Sequence, residues 1–309
     1  MRWPLLAPFL ATVLAAGCFH GPLPTDEPTS TGDRPAGRGT YPHLLLGNPS
    51  KATDDPKDRD NYLEEKPYFA LSYNSSKGTP NWVSWRVTKA DLGDAPRKLQ
   101  FDPDADLPRG FRHVTHKDYN GSGFDRGHMC PHSDRAADKE MSYATFVMSN
   151  VVPQAPKLNQ KAWAAEEEYL RGLVKKGHRL YVVAGPTGKG GVGKEGHKDE
   201  IGGGKVVVPA ECWKVAVVLP VERGDDGGSP EDDLSRITKR TRVTAVVMPN
   251  DEEKVRTTWA GYRVSVRHVE KLTGYTFFDR LPADVAEALK DKVDDDHIPP
   301  PRKGRGDKD

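Results

Sequence analysis

A histidine that closes a glycine-punctuated turn, with an acid and an arginine just before it, is presented to its surroundings rather than absorbed into a periodic core pattern. Ser122-Gly123-Phe124-Asp125-Arg126-Gly127-His128-Met129-Cys130-Pro131 has that form, and the chemistry it suits is general-base catalysis by the imidazole. About thirty residues on, the run from Ser149 through Asn150 and Asn159 to Trp163 leads into a helical pattern that carries Glu167 and Arg171. Asn159, Trp163, Glu167 and Arg171 follow one another at four-residue intervals, about 40° apart on a helix. They are expected to share one broad face that looks at His128. Taken singly, each has an ordinary structural reading: Asn159 as a helix cap, Glu167 and Arg171 as an exposed i,i+4 pair.

Two other constellations compete for attention. His113, His116, His128, Cys130 and His132 mimic a zinc site, but His-x-Cys-x-His crowds three ligands on one strand face and no Cys-x2-Cys pair accompanies it. Gly188 to Lys194 has the spacing of a phosphate-binding loop. Glu195, however, stands where a magnesium-holding Ser or Thr belongs, and Gly196 and Gly202 to Gly204 deny the helix that would cradle a phosphate. The loop reads as a flexible connection.

Cutting a phosphodiester requires a base for water, a cation near the phosphate and donors for the charge gathered on its oxygens. The two stretches above, set in a chain that matches from roughly Tyr62 to Leu289, resemble the sugar-non-specific DNA/RNA endonucleases of the ββα-metal (His-Me finger) superfamily. The resemblance implies that His128 activates water. It makes Asn159 the single direct protein ligand of Mg2+, with Mn2+ or another divalent ion as alternatives, and water in the remaining positions. Glu167 would hold metal-bound water. Arg171, Arg126 and Arg97, the last within Ala95-Pro96-Arg97-Lys98 and thirty-one residues before His128, would hold the phosphate. By the same resemblance Asn150 lies near the imidazole and fixes its tautomer, and Asp125 orients the finger. Phe146 stands where some relatives carry an asparagine.

The elements that must position these residues read as α+β. Tyr68 to Tyr73 and Trp82 to Val87 alternate as a hairpin across Asn74 to Gly78. Leu180 to Ala184, Lys205 to Pro209, Cys212 to Pro220 and Thr241 to Met248 are β-branched strands. Glu140 to Met148 reads as a short helix or strand, Lys161 to Lys175 as a helix stopped at Gly177, Trp259 to Leu272 as one stopped at Gly274, and Ala283 to Val293 as the last helix. Such a series predicts a mixed, mainly antiparallel central sheet flanked by helices. Cys130 and Cys212 admit either a disulfide or two buried thiols.

With 46 Lys plus Arg against 45 Asp plus Glu, the formal net charge is +1. No global field draws in a polyanion, so any attraction must be local. No aromatic stacking platform is evident, which suits a reader of backbone rather than bases.

Residues 1–18 read as an export signal with lipoprotein-like cleavage before Cys18, 19–40 as a disordered Pro- and Gly-rich tether, 41–293 as the endonuclease domain and 294–309 as a disordered charged tail. The expected protein is an exported, membrane-tethered or secreted endonuclease for DNA and RNA with little sequence preference, leaving 5′-phosphate and 3′-hydroxyl ends. The alternatives are a non-catalytic surface lipoprotein that binds nucleic acid, and a nuclease toxin with an immunity or inhibitor protein as partner. Replacing Cys18 by Ser is expected to move the protein from the membrane to the soluble fraction with its specific activity intact. A wild-type protein that is already soluble and begins at another residue would refute the anchor.

Overall fold

The computed structural model describes residues 42–221 and 229–298. The signal, Cys18, the 19–40 tether, Tyr41, residues 222–228 and residues 299–309 of the tail lie outside the described residues. The chain enters its sheet through β1 (Tyr62–Glu65), β2 (Ala70–Asn74) and β3 (Thr79–Val87). It then leaves to form β4 (Asp125–His128), helix α1 (Lys139–Ala144), β5 (Val151–Gln154) and helix α2 (Ala164–Lys175). It returns with β6 (His178–Thr187), β7 (Glu211–Pro220), α3 (Pro230–Arg236), β8 (Arg242–Pro249), β9 (Arg263–Val264), α4 (Val266–Thr273) and α5 (Ala283–Lys290).

Among the described residues the sheet runs β1-β2-β3-β6-β7-β8-β9, and each of these pairings is antiparallel. The expected α+β class with a mainly antiparallel sheet is what the chain adopts.

The three long β-branched strands have few polar residues because both faces of the sheet are covered. Period-2 alternation sends Leu180, Val182, Ala216, Val218, Val246 and Met248 to one face and Tyr181, Val183, Val215, Val217, Val243 and Ala245 to the other. The second face packs under Val266 and Val269 of α4 and Ala286 and Leu289 of α5. The first packs under the excursion between β3 and β6, through Cys130, Val152, Leu158, Trp163 and Leu170.

That excursion contains the finger. β4 and β5 pair antiparallel with His128 opposite Val151 and Gly127 opposite Val152, and the chain then enters a π-helical turn, Leu158–Trp163, that runs on into α2. The order strand, strand, helix is thus met. Arg135, buried between finger and sheet, donates from Nε to Tyr68 O at 2.8 Å and from Nη2 to Arg86 O at 2.7 Å.

Several local expectations change. Trp259 to Leu272 is not one helix. A 3-10 turn, Trp259–Tyr262, gives way to the edge strand β9, and α4 starts afresh because the Ser265 hydroxyl caps it, accepting from His268 N. The end at Gly274, φ 75°, stands. Of Lys205 to Pro209 only Val206–Val207 is strand.

Gly188 to Lys194 is not a loose connection either. Gly191–Gly193 pairs with Gly196–Lys198 as a hairpin, tied to the finger by Lys194 N donating to Gly123 O at 3.0 Å. A Cβ at Gly193 would stand 2.6 Å from that same oxygen. The glycines serve close backbone approach. Cys130 and Cys212 are free buried thiols.

Gly127 is fixed by the same logic. A Cβ there would lie 2.0 Å from Oε1 and 2.4 Å from Cδ of Gln154, a side chain with no exposure through which to swing away. Gly127→Ala is expected to cost about 1–3 kcal/mol by overpacking and to lower activity with it, because His128 is the next residue. Equilibrium denaturation checks the first part, and a variant as stable as the wild type would refute it.

Candidate active site

His128 ends β4 and is 8% exposed. Phe101 stands 4.8 Å from its ring, and Phe146 meets it edge to face at 4.8 Å. Burial in this aromatic wall holds the imidazole pKa well below its ordinary value, and the positive charge of Arg97 and the neighbouring His132 push the same way. Nε2 is buried without a hydrogen-bond partner. Burial thus favours a neutral imidazole at the end of β4.

Asn150 does not act on that ring. Its Nδ2 donates to Cys130 O and Thr145 O at 2.9 Å each, and its Oδ1 accepts from Cys130 N at 2.9 Å. Its backbone oxygen receives Met129 N. A fully buried amide spent wholly on backbone braces the turn that follows His128. The expectation that it sets the imidazole tautomer is replaced by this positioning role.

The arginines separate. The Arg97 guanidinium lies over the Phe146 ring at 5.2 Å, so the position that could have carried an asparagine supplies an aromatic seat for a cation. Arg171 donates to Asp134 Oδ1 at 3.2 Å, and the other oxygen of Asp134 takes Trp85 Nε1 at 2.9 Å. Partial burial and the charges of Arg97 and Arg171 hold the His132 pKa below its usual value.

Arg126 shares a strand face with His128 by alternation. Its Nε and Nη2, however, bind His116 O, and Nη2 also reaches Asn120 Oδ1 at 2.6 Å. Only its Nη1 edge is left to face a ligand.

On the helical side, Asp125 accepts from Asn159 Nδ2 at 2.9 Å and from Gln160 Nε2 at 2.8 Å. A carboxylate only accepts, so the amide is turned with Oδ1 away from Asp125. That oxygen is uncommitted among the described residues, and a hard oxygen is the donor a magnesium-like ion prefers. The donor chemistry fits a hydrated divalent cation. No three His, Cys, Asp or Glu side chains come together as a metal cluster among the described residues, which leaves the zinc constellation without its ligands.

The broad face drawn from helical spacing is not realised. The π-turn winds more widely than an α-helix, and Trp163 is buried in the core, with Lys214 Nζ 4.0 Å from its ring centroid. Asn159, Glu167 and Arg171 stay on the finger side.

Glu167 lies 4.0 Å from Arg171 and 3.9 Å from Lys214. Burial raises its pKa to about 7, while Lys214 and Arg171 pull it down.

Sequence reasoning missed four residues here. Phe101 walls the imidazole and Asp134 aims Arg171. Asn250 donates to Pro153 O and Pro209 O and accepts from Ala155 N at 2.7 Å, pinning the entry to the π-turn. Lys214, 1% exposed, forms an ion pair with Glu166 under α2. A lysine inside the apolar run Cys212 to Pro220 is the one visible signal, since a buried ammonium demands a partner.

Comparison with known proteins gives one consistent result. A family model described as DNA/RNA non-specific endonuclease matches residues 46–284. A nuclease of Nostoc sp. is 45% identical over 252 residues, spanning 82% of this chain and 86% of that one. Nuclease C1 of Cunninghamella echinulata is 34% identical, over 77% and 88%. A chain in the crystal structure of the EndoG/EndoGI complex superposes with a TM-score of 0.60 at 25% identity, over 77% and 91%.

Removing one partner of a buried ion pair leaves an uncompensated charge, at a cost of about 3–5 kcal/mol. Lys214→Met is expected to lose stability on that scale, and adding Glu166→Leu should recover most of it. Denaturant titration of the single and double variants decides. A single variant at wild-type stability would show that the pair does not hold α2 to the sheet.

Proposed function

Because the chain belongs to the DNA/RNA non-specific endonuclease family and is a nuclease, we propose that it hydrolyses phosphodiester bonds of DNA and RNA with His128 as general base. The observation that carries this reading is the imidazole that burial and the charge of Arg97 keep neutral, on a turn braced from behind by Asn150. His128 accepts the proton of a water that attacks phosphorus in line. Arg97 and Arg171, held by Phe146 and Asp134, bind the phosphate oxygens and offset the charge that grows on them. The Nη1 edge of Arg126 adds a further donor.

Asn159 would hold a divalent cation, Mg2+ first among candidates, which supplies positive charge at the leaving 3′ oxygen. Asp125 keeps the Asn159 oxygen turned outward, and Glu167 would accept hydrogen bonds from water held by the ion. Products then carry 5′-phosphate and 3′-hydroxyl ends. Export with a lipid anchor on Cys18 completes the proposal, as does an inhibitor protein; the EndoG of the solved complex has such a partner in EndoGI.

The deciding experiment incubates the protein with plasmid and with RNA, with and without EDTA. Cleavage of both that stops with EDTA is expected, and no cleavage in excess magnesium would sink the reading. His128→Ala should lower turnover about 10²- to 10⁴-fold with the thermal midpoint little changed.

The pH profile follows from the sign of the shift. A base whose pKa is depressed stays neutral as pH falls through 6.5, the ordinary histidine value. Activity should therefore persist below that pH and decline only in stronger acid. A decline centred near 6.5 that remains in Glu167→Gln would contradict the assignment, the substitution removing the carboxyl that titrates at about 7.

A further inference from the structure

The near-zero net charge of the chain leaves open where a polyanion is held beyond the single phosphate being cut. Arg126 gives the direction. Its guanidinium is bonded to His116 O and Asn120 Oδ1 and lies over Tyr119 at 5.8 Å, so the turn His116–Tyr119 is fastened to the strand that carries His128. Asp118, on the far side of that turn, accepts from Lys205 Nζ at 3.0 Å. Gly202 allows the contact, since a Cβ there would stand 2.7 Å from the Asp118 side chain.

Lys205 in turn lines a cleft of about 890 Å³ together with Lys57, Arg59, Arg112, Asp58 and Asp60. Four cations and two carboxylates line it, the Lys205 ammonium being paired with Asp118, and both carboxylates accept from neutral donors. Asp60 takes the N–H and hydroxyl of Ser76 at 2.8 Å each, and Asp58 takes the Thr53 hydroxyl at 2.6 Å.

The cations are placed, not trailing. Arg112 Nη1 donates to Ser76 O at 2.9 Å and Lys205 O at 2.8 Å, which directs the rest of its guanidinium outward. Arg59 lies over the Phe111 ring at 5.4 Å and donates to Gly110 O. Lys57 is exposed and carries no ion pair among the described residues. Such a preset group of cations recognises phosphate without regard to base or sugar.

We infer that this cleft is a second backbone-binding site, which holds phosphates of the substrate strand beyond the scissile bond, with Arg126 and Lys205 as the link between the two. The inference rests on the nuclease reading for the identity of the strand. It requires no catalytic event to be tested.

The test measures binding of a long labelled oligothymidylate by fluorescence anisotropy in EDTA, where cleavage is absent, over a range of salt concentrations. Lys57→Glu, at an exposed unpaired residue, is compared with Lys57→Glu/Arg59→Gln and with Lys271→Glu. The last makes the same charge change on α4, against the opposite face of the sheet. The cleft variants are expected to bind about tenfold more weakly at low salt, and the slope of log affinity against log salt should shrink by about 0.7 for each phosphate that is no longer neutralised. Lys271→Glu should match the wild type. Equal weakening by Lys271→Glu, or wild-type affinity and slope in both cleft variants, would overturn the inference. A wild type that binds the strand with these differences yet never cleaves it in magnesium would instead refute the proposed catalysis and leave the cleft standing.

Discussion

A charged amine in the middle of an apolar strand must meet a carboxylate or leave the core, and the side of the sheet that carries the finger is arranged around that demand. Lys214 sits on β7 with apolar strand neighbours on either side, and its partners Glu166 and Trp163 both belong to the helix that follows the finger. The pair thus ties the segment bearing Asn159, Glu167 and Arg171 to an interior strand of the sheet. Hydrophobic contact alone would let that helix slide or turn. A directional ion pair under an aromatic ring fixes its rotation, and an ammonium 3.9 Å from Glu167 also favours the ionised form of that acid. Net stabilisation from such a pair is small; what it gives here is placement.

The finger is held by a second device of the same kind, in which buried polar side chains are spent on backbone. Asn150 closes on Cys130, Arg135 reaches Tyr68 and Arg86, and Asn250 ties Pro153, Ala155 and Pro209 together. Each satisfies main-chain groups that an irregular segment would otherwise bury unpaired. The result is a non-repetitive stretch whose main chain is bonded, and at its tip an imidazole that burial and the charge of Arg97 keep neutral. Arg97, proposed to bind phosphate, thereby favours the unprotonated form of that imidazole. One charge serves both ends.

How much of this is legible in the sequence depends on whether the partner is local. The long strands and the α+β class are readable, because β-branched runs are properties of neighbouring positions. Four-residue intervals misplace Trp163, since they assume an α-helix and give no sign of a π-turn. Asn150 looks like a partner for the imidazole, although it binds the backbone of residue 130, and a backbone partner leaves no mark on side-chain type. The glycines of 188–194 look like slack; their partners, Gly123 and Asn250, are brought near only by the folded sheet. Ser265 is a visible cap signal, hidden by an attractive helical spacing on both sides of it.

The balance of charge has a structural counterpart. A nuclease that reads backbone gains nothing from a uniformly positive surface, which would also hold product and bind polyanions without aligning them. In this chain the cations near the finger are each committed by one edge: Arg171 to Asp134, Arg126 to His116 and Asn120, Arg112 to three carbonyls, Lys205 to Asp118. A guanidinium bound along one edge loses little further freedom when its other edge meets a phosphate. Acidic residues elsewhere can cancel the total without weakening these positions, since solvent and salt screen exposed charges beyond about 8–10 Å. Overall neutrality and local attraction are compatible for that reason, and donors whose geometry matches phosphate oxygens make no reference to the base.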